Sequence, residues 1–301
     1  MPSYRFMPRI FVGATIAFAL TVSASAQLNR SFVATTGNDA NNCSATAACR
    51  TFPRALAVTN AGGEIVVLNS GGYGPATISQ AVTISADGVV ASITQATSGQ
   101  NGLTINTSGN VTLSGLSLHG QASGAQGILV QNVGGLLLND ITVESFTENG
   151  LEVFGGNVAV ENSTFNSNGG NGIAVDSSAG AFVHNTTFTG NGAAGFLLGS
   201  GTAILVNCSA KGSGSGFQVG YPTVPSSGGP LYLVNSESFY NNVGLLTNTS
   251  ISVIRLSYSV VAQNFTDAYK ITDGAIQGTN PGTNVIIGAG SGTLGTAVTL
   301  Q

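Results

Sequence analysis

Tryptophan is absent from this chain of 301 residues, methionine occurs twice, and charged residues make up only 7% of it. Few soluble globular proteins carry so little charge. Beyond residue 26 only Arg30, Arg50, Arg54, Lys211, Arg255 and Lys270 are basic, against twelve acidic residues. That set is too small and scattered to follow a phosphate backbone, so no nucleic-acid partner is expected. Three cysteines give no support to a metal site built on cysteine. No long apolar run follows residue 26, so no membrane span is expected in the mature chain. A mean hydropathy of +0.30 disfavours disorder. What remains is a chain with 43 glycines and abundant Asn, Ser, Thr and Val, a composition suited to short strands and tight turns.

The opening "MPSYRFMPRIFVGATIAFALTVSASAQ" places Arg5 and Arg9 before an apolar run from Ile10 to about Val22, then small residues ending at Ala26. This pattern predicts a signal peptide over 1–26 and a secreted, extracellular or periplasmic protein. Cys43 and Cys49, in "CSATAAC", predict a small disulfide-closed loop in an exported chain. Cys208 is left over, and its place in the repeat described next predicts a buried, unreactive thiol.

From Gly102 onward a glycine is followed by an apolar-x-apolar pattern again and again: "GLTI", "GILV" at Gly127, "GLEV" at Gly150, "GIAV" at Gly172, "GFLL" at Gly195, "GFQV" at Gly216 and "GLLT" at Gly244. The intervals are 25, 23, 22, 23, 21 and 28 residues. A period near 22 with strand-like alternation predicts one coil of a solenoid, each coil holding three short strands and three turns. The second strand is expected to end at Leu113, Leu138, Val160, Val183, Leu205 and Val234. The third is expected to carry Leu118, Val143, Phe165, Phe188, Ala210 and Phe239 inward, with Gly115, Asp140, Asn162, Asn185, Asn207 and Ser236 at the bend before it. Gly, Asn and Asp suit such a bend because they tolerate left-handed backbone geometry. Asn162, Asn185 and Asn207 are thus expected to stack as a structural ladder. About ten coils at about 4.8 Å each predict a rod about 50 Å long.

The first coil needs a cover. In "RTFPRALAVTNAGGEIVVL", Thr51 reads as a helix cap, Pro53 as a first-turn residue, Phe52, Ala55 and Leu56 as one apolar face, and Gly62-Gly63 as the stop. The chain is therefore divided into a signal peptide over 1–26, an N-terminal segment over 27–62 with the Cys43–Cys49 loop and a capping helix, and a β-helix over 63–301.

With these residues in hand, the chain resembles the pectin lyase-like superfamily of right-handed parallel β-helix proteins over residues 50 to 290. The segment "TFPRALAVTNAGGEIVVLNSGGYGPATISQAVTIS" and the coils with an Asn bend before the third strand carry the resemblance, and "ATTGNDANNCSATAACRTF" is similar to the start of secreted bacterial β-helix proteins. The resemblance implies an all-β, single-stranded right-handed parallel β-helix. Its members include polysaccharide lyases and hydrolases, adhesins and tailspikes, so fold alone does not choose an activity. A lyase of that kind would hold calcium through clustered acids and use an Arg or Lys as base, and no first strand of a central coil carries a basic residue.

A glycoside hydrolase needs two carboxyl groups about 6.5 to 9.5 Å apart for inversion. Glu152 and Asp176 occupy outward places on successive first strands, offset by two residues, which puts their backbones about 8 Å apart. Glu148 adds a third acid. Acids on an outward strand face are ordinarily a solvated surface, and the clustered aspartates and Gly-His-Gly of polygalacturonase-type hydrolases are missing. The His119 and His184 side chains read as surface or turn residues. Outward Leu129, Ala174, Leu197 and Leu246 on the first strand, with Leu137, Phe182, Ile204 and Leu233 on the second, point instead to a contact face or to cover by the insertion "GYPTVPSSGGP". The expectation is a non-catalytic extracellular or cell-surface protein that binds carbohydrate or another surface component, with self-association through the apolar face as a further partner reading. A polysaccharide-degrading enzyme is the alternative. No cofactor is expected, and calcium enters only under the lyase reading.

Overall fold

Alternating side chains in short runs, punctuated by residues that can bend left-handed, leave the chain one economical way to bury its apolar half: wind, and lay each circuit on the last. A computed structural model describes residues 28–176, 178, 180–278, 284–295 and 299–300. The expected signal peptide lies outside them. The described chain is a parallel β-solenoid with one short helix. First strands such as Leu151–Val153 and Ile173–Val175 stack on one another, second strands such as Asn157–Glu161 and Gly180–His184 form the next row, and third strands such as Thr164–Asn166 and Thr187–Thr189 form a separate sheet of eleven. Val243–Ser257 and Asp267–Gly278 run through the first and second rows without a break and join them into one sheet.

Parallel register puts like on like. Leu151 pairs with Ile173, Val160 with Val183 and Phe165 with Phe188, and all six side chains are buried. The glycine that opens each coil is required by the stacking distance. A Cβ on Gly150 would stand 2.7 Å from the Gly172 carbonyl oxygen, and one on Gly172 would stand 2.5 Å from that of Gly195. The bends are left-handed at Asp140, Asn162, Asn185 and Asn207, with φ of 55°, 51°, 50° and 55°. On the exposed outside, Asn185 Nδ2 donates to Asn162 Oδ1 at 2.7 Å and Asn162 Nδ2 to Asn139 Oδ1 at 2.9 Å. Asn207 sits in the same column but meets the His184 ring at 3.3 Å, and Asn235 resumes the chain of bonds by donating to Asn207 Oδ1 at 2.7 Å.

A second asparagine column, not assigned from sequence, runs inside the corner that follows the third strand. Asn168, Asn191 and Asn241 are buried. Asn168 Oδ1 accepts the Phe146 amide, Asn191 Oδ1 accepts the Asn168 amide, and Asn241 Oδ1 accepts the Ser213 amide, at 3.2, 3.2 and 2.9 Å. The side chain of one coil thus satisfies a buried backbone donor of the coil before it, where no water reaches.

In the coil after the insertion the expected placement is shifted by one residue. Leu205 pairs with Leu233 and Ala210 with Ser238, and the left-handed residue is Asn235, with φ 48°, not Ser236. Leu233 therefore points inward and is 1% exposed, while Phe239 lies outside, opposite Lys211. Asparagine adopts the left-handed bend more readily than serine, and that preference fixes which neighbour faces the core. Cys208 is a buried free thiol, in the column of Ser163, Thr186 and Ser236, and burial pushes its pKa up to about 12.

The helix spans Phe52–Val58, with Thr51 as its N-cap accepting the Arg54 amide and Phe52, Ala55 and Leu56 buried. It ends sooner than Gly62-Gly63, which lie inside the strand Thr59–Val67. The strand Leu28–Val33 captures the chain there by pairing, Ser31 Oγ meets Thr59 Oγ1 at 2.6 Å, and Gln80 Nε2 donates to the Leu56 and Thr59 carbonyls. Cys43 and Cys49 form a disulfide.

Candidate functional site

Outward positions of the first row form a column from Thr104 through Leu129, Glu152, Ala174 and Leu197 to Gln218. Glu152 lies opposite Ala174, so Asp176 stands two residues further along and one coil on. Both carboxyl groups are half-buried, and both pKa values are raised. For Glu152 burial is the main cause and the nearby Asp176 charge adds to it, while hydrogen bonds from Gln126 and Asn149 oppose it. For Asp176 burial is opposed by the Tyr221 hydroxyl, which donates to Oδ1 at 2.7 Å. The Tyr221 phenol is raised in turn, by burial first and then by Asp176. Glu148 is exposed and accepts from Gln126 Nε2 at 3.2 Å. Among the described residues no group of three His, Cys, Asp or Glu side chains could hold a metal ion.

Tyr221 opens the insertion, and sequence alone did not single it out. It packs on Ala174, Ala194 and Leu197, which form a small cluster of their own and are all buried. Two of the expected outward apolar residues, Ala174 and Leu197, are therefore covered by the chain itself. Gly199 makes the arrangement possible: a Cβ there would stand 1.9 Å from Asp176 Oδ1 and 2.7 Å from the Tyr221 ring. The insertion is anchored at its other end, where the Tyr221 amide donates to Ser227 Oγ at 2.7 Å and Thr249 Oγ1 donates to the Ser227 carbonyl at 2.6 Å. Phe154, one coil before Asp176, stays 52% exposed beside the two acids. Leu129 and Leu246 are half-buried.

The raised Glu152 pKa makes a pH prediction with a definite sign. The folded chain holds this proton more tightly than the unfolded chain, so Glu152 favours folding at low pH and that contribution is lost as pH rises from the ordinary carboxylate range through the raised value. Urea titrations across this window are expected to show the stability of Glu152→Gln gaining on that of the parent as pH increases. A difference that is flat or falls with pH would contradict this.

The second row presents a different surface. Its outward column begins with Arg30 and Glu64, which form an ion pair at 2.8 Å, runs through Thr83 and Thr112 to Leu137, Ala159, Phe182, Ile204 and Tyr232, and goes on to Arg255 and Gln277. The apolar middle lines a shallow groove of about 570 Å³. Phe182 and Ile204 are each 41% exposed. His184 stacks on Phe182 with ring centroids 6.4 Å apart, and on the third row His119 Nδ1 meets Glu144 Oε1 at 2.8 Å, so both histidines are engaged at the surface.

Solved structures of similar fold include the following. Pectate lyase Pel9A has a TM-score of 0.58 and 18% identity over 92% of this chain and 73% of its own. XylC in its complex with xylose has a TM-score of 0.59 and 9% identity over 87% and 69%. A rhamnogalacturonan lyase has a TM-score of 0.54 and 12% identity over 90% and 84%. No curated protein matches the sequence. The family described as "Right handed beta helix region" matches residues 55–210 and 126–294. Stacked parallel rows, the glycine that opens each coil and this match across most of the chain place the protein in the right-handed β-helix family.

Proposed function

We propose that the chain is an exported, non-catalytic glycan-binding β-helix whose contact face is the outward side of the first row around Glu152, Phe154, Asp176 and Tyr221. The observation that carries this reading is the exposed Phe154 ring beside two carboxyl groups of raised pKa. A sugar ring offers an apolar face to stack and hydroxyls to hydrogen-bond, and this patch supplies both complements. Gln126 adds a buried Oε1 that has no partner among the described residues. The outward column holds no Lys or Arg from Thr104 to Gln218, so the favoured polymer is neutral or carries amino groups. Asp176 supports binding over catalysis, because its Oδ1 already accepts the Tyr221 hydroxyl and props the insertion.

The sequence of residues 1–26 supports export, and the contacts of the helix Phe52–Val58 with Leu28–Val33, Thr59–Val67 and Ala76–Ile78 support a capping role. A second reading, an inverting polysaccharide hydrolase, is favoured by the raised Glu152 pKa and the backbone spacing of about 8 Å from Asp176.

The test is binding to immobilised neutral, amino and acidic polysaccharides, with reducing ends and unsaturated products measured in the same samples. Phe154→Ala is expected to weaken the best binder about fivefold, the loss of an aromatic contact worth about 1 kcal/mol. Product release that disappears in Glu152→Gln and Asp176→Asn would establish the hydrolase instead. Absence of binding across the panel would end the glycan reading.

A further inference from the structure

Parallel register also brings three reactive side chains into line on the third row. Ser117 and His119 are two residues apart on the strand Leu116–His119, so both face outward, and Glu144 on the strand Thr142–Glu144 pairs directly with His119. Ser117 Oγ lies 2.9 Å from His119 Nε2, and His119 Nδ1 lies 2.8 Å from Glu144 Oε1. The order is hydroxyl, Nε2, Nδ1, carboxylate, the arrangement that turns a serine into a nucleophile. A carboxylate at Nδ1 holds the ring proton there, so the neutral ring presents a bare Nε2 to the serine hydroxyl. We propose that Ser117, His119 and Glu144 form a serine esterase site that removes small acyl groups, acetyl above all, from the hydroxyls of a polysaccharide.

Packing does not require these side chains. The interior beneath them is filled by Leu118 and Val143, both buried, while the side chains of His119 and Glu144 are 37% and 31% exposed. An ester can therefore reach the serine from solvent. Ser92 and Thr142 pair with Ser117 from the strands on either side, at about 4.8 Å, so a carbonyl oxygen over Ser117 has a hydroxyl donor on each flank. The outward residues of these three strands are all polar, so a long acyl chain finds no apolar cover, and an acetyl group needs none. At the bend two residues before Ser117 lies an open hollow of about 400 Å³, lined in part by Ser114, Gly115, Asn139 and Asp140. It has room and hydrogen-bonding groups for a sugar ring whose ester reaches the serine.

The first-row face binds the polymer and leaves its glycosidic bonds intact, whereas this site acts on a different bond and does not depend on that face. Ser117 Oγ attacks the acyl carbon as its proton passes to His119 Nε2, and Glu144 stabilises the imidazolium that forms. The bond from the acyl carbon to the sugar oxygen then breaks, and that oxygen takes the proton from Nε2. Water attacks the acyl-serine with His119 as base, acetic acid leaves, and Ser117 recovers its proton from Nε2.

Hydrolysis of p-nitrophenyl acetate, a small ester that needs no polymer, tests this site apart from the glycan face. Ser117→Ala and His119→Gln are expected to lower the rate by about a hundredfold or more, with unchanged melting temperatures because both side chains lie outside the core. His184→Gln, which alters the chain's other histidine, should leave the rate as it is. Glu144→Gln should lower kcat about tenfold with KM unchanged, since the carboxylate acts through the ring and not on the ester. A fluorophosphonate should label Ser117, as located by mass spectrometry, in the parent and not in His119→Gln. Hydrolysis that persists in Ser117→Ala overturns the proposal, because the imidazole alone would then suffice, and so does a parent that neither hydrolyses the ester nor takes the label. Acetate release from O-acetylated xylan is expected as well, and its absence beside an active small-ester hydrolysis overturns the polysaccharide substrate.

Discussion

Replacing Asn191 with alanine is expected to lower the free energy of unfolding by about 3–5 kcal/mol. The side chain is 1% exposed and satisfies several buried partners at once. Its Oδ1 accepts the Asn168 amide at 3.2 Å and Asn168 Nδ2 at 3.1 Å, and its Nδ2 donates to the Phe165 carbonyl at 3.1 Å. Alanine leaves all three groups in a place where water cannot replace the lost bonds, and each stranded group costs about 1–3 kcal/mol. The control uses the same residue type on the outside. Asn185 also bonds to the coil before it, but it is exposed and sits at φ 50°. Asn185→Gly keeps the left-handed bend and returns the neighbouring amide to water, so a change of only a few tenths of a kcal/mol is expected. Urea unfolding followed by circular dichroism measures both. Equal losses at the two positions would mean that the inner column does not act through burial.

Removing the Phe188 ring should be as damaging by a different route. Phe188 is fully buried, stacks on Phe165 with centroids 6.0 Å apart, and meets Phe196 and Phe217 edge-on at 6.3 and 6.4 Å. A solenoid core is thin, and the coils on either side are locked in register by backbone hydrogen bonds, so the walls cannot close on the cavity. Phe188→Ala is expected to cost about 3–5 kcal/mol, at the upper end for such truncations. Phe188→Leu, which keeps most of the volume, should lose about half as much. The same urea titration tests both, and a loss for Phe188→Ala under about 1.5 kcal/mol would show that the coils relax into the space.

These two positions show how far local pattern reaches. The quoted repeat places Phe165 and Phe188 inward correctly, because alternation along a strand is a property of two or three neighbouring residues. The bends at Asn162, Asn185 and Asn207 follow from the left-handed tolerance of asparagine, again a local preference. Asn168 and Asn191 stand in the same repeats, six residues after the outer ones, yet their role was not legible. An asparagine is read from sequence as a turn residue, and only the stacking of coils turns this column inward and gives it donors to satisfy. The slip at Leu233 has the same origin. Two adjacent apolar residues fit either face on paper, and the bend at Asn235 chooses between them.

The candidate site divides along the same line. Glu152, Phe154 and Asp176 are recognisable as outward residues from their distance to the glycines. That Asp176 is held by Tyr221, 45 residues away in sequence, is not. Short-range alternation and turn chemistry were enough to announce a wound β chain, its period and most of its inside and outside, since each depends on a handful of adjacent residues. Which coil an insertion leans on, which acid loses water beneath it, and which apolar stripe stays bare depend on side chains brought together across coils, and those distances exist only once the chain is wound.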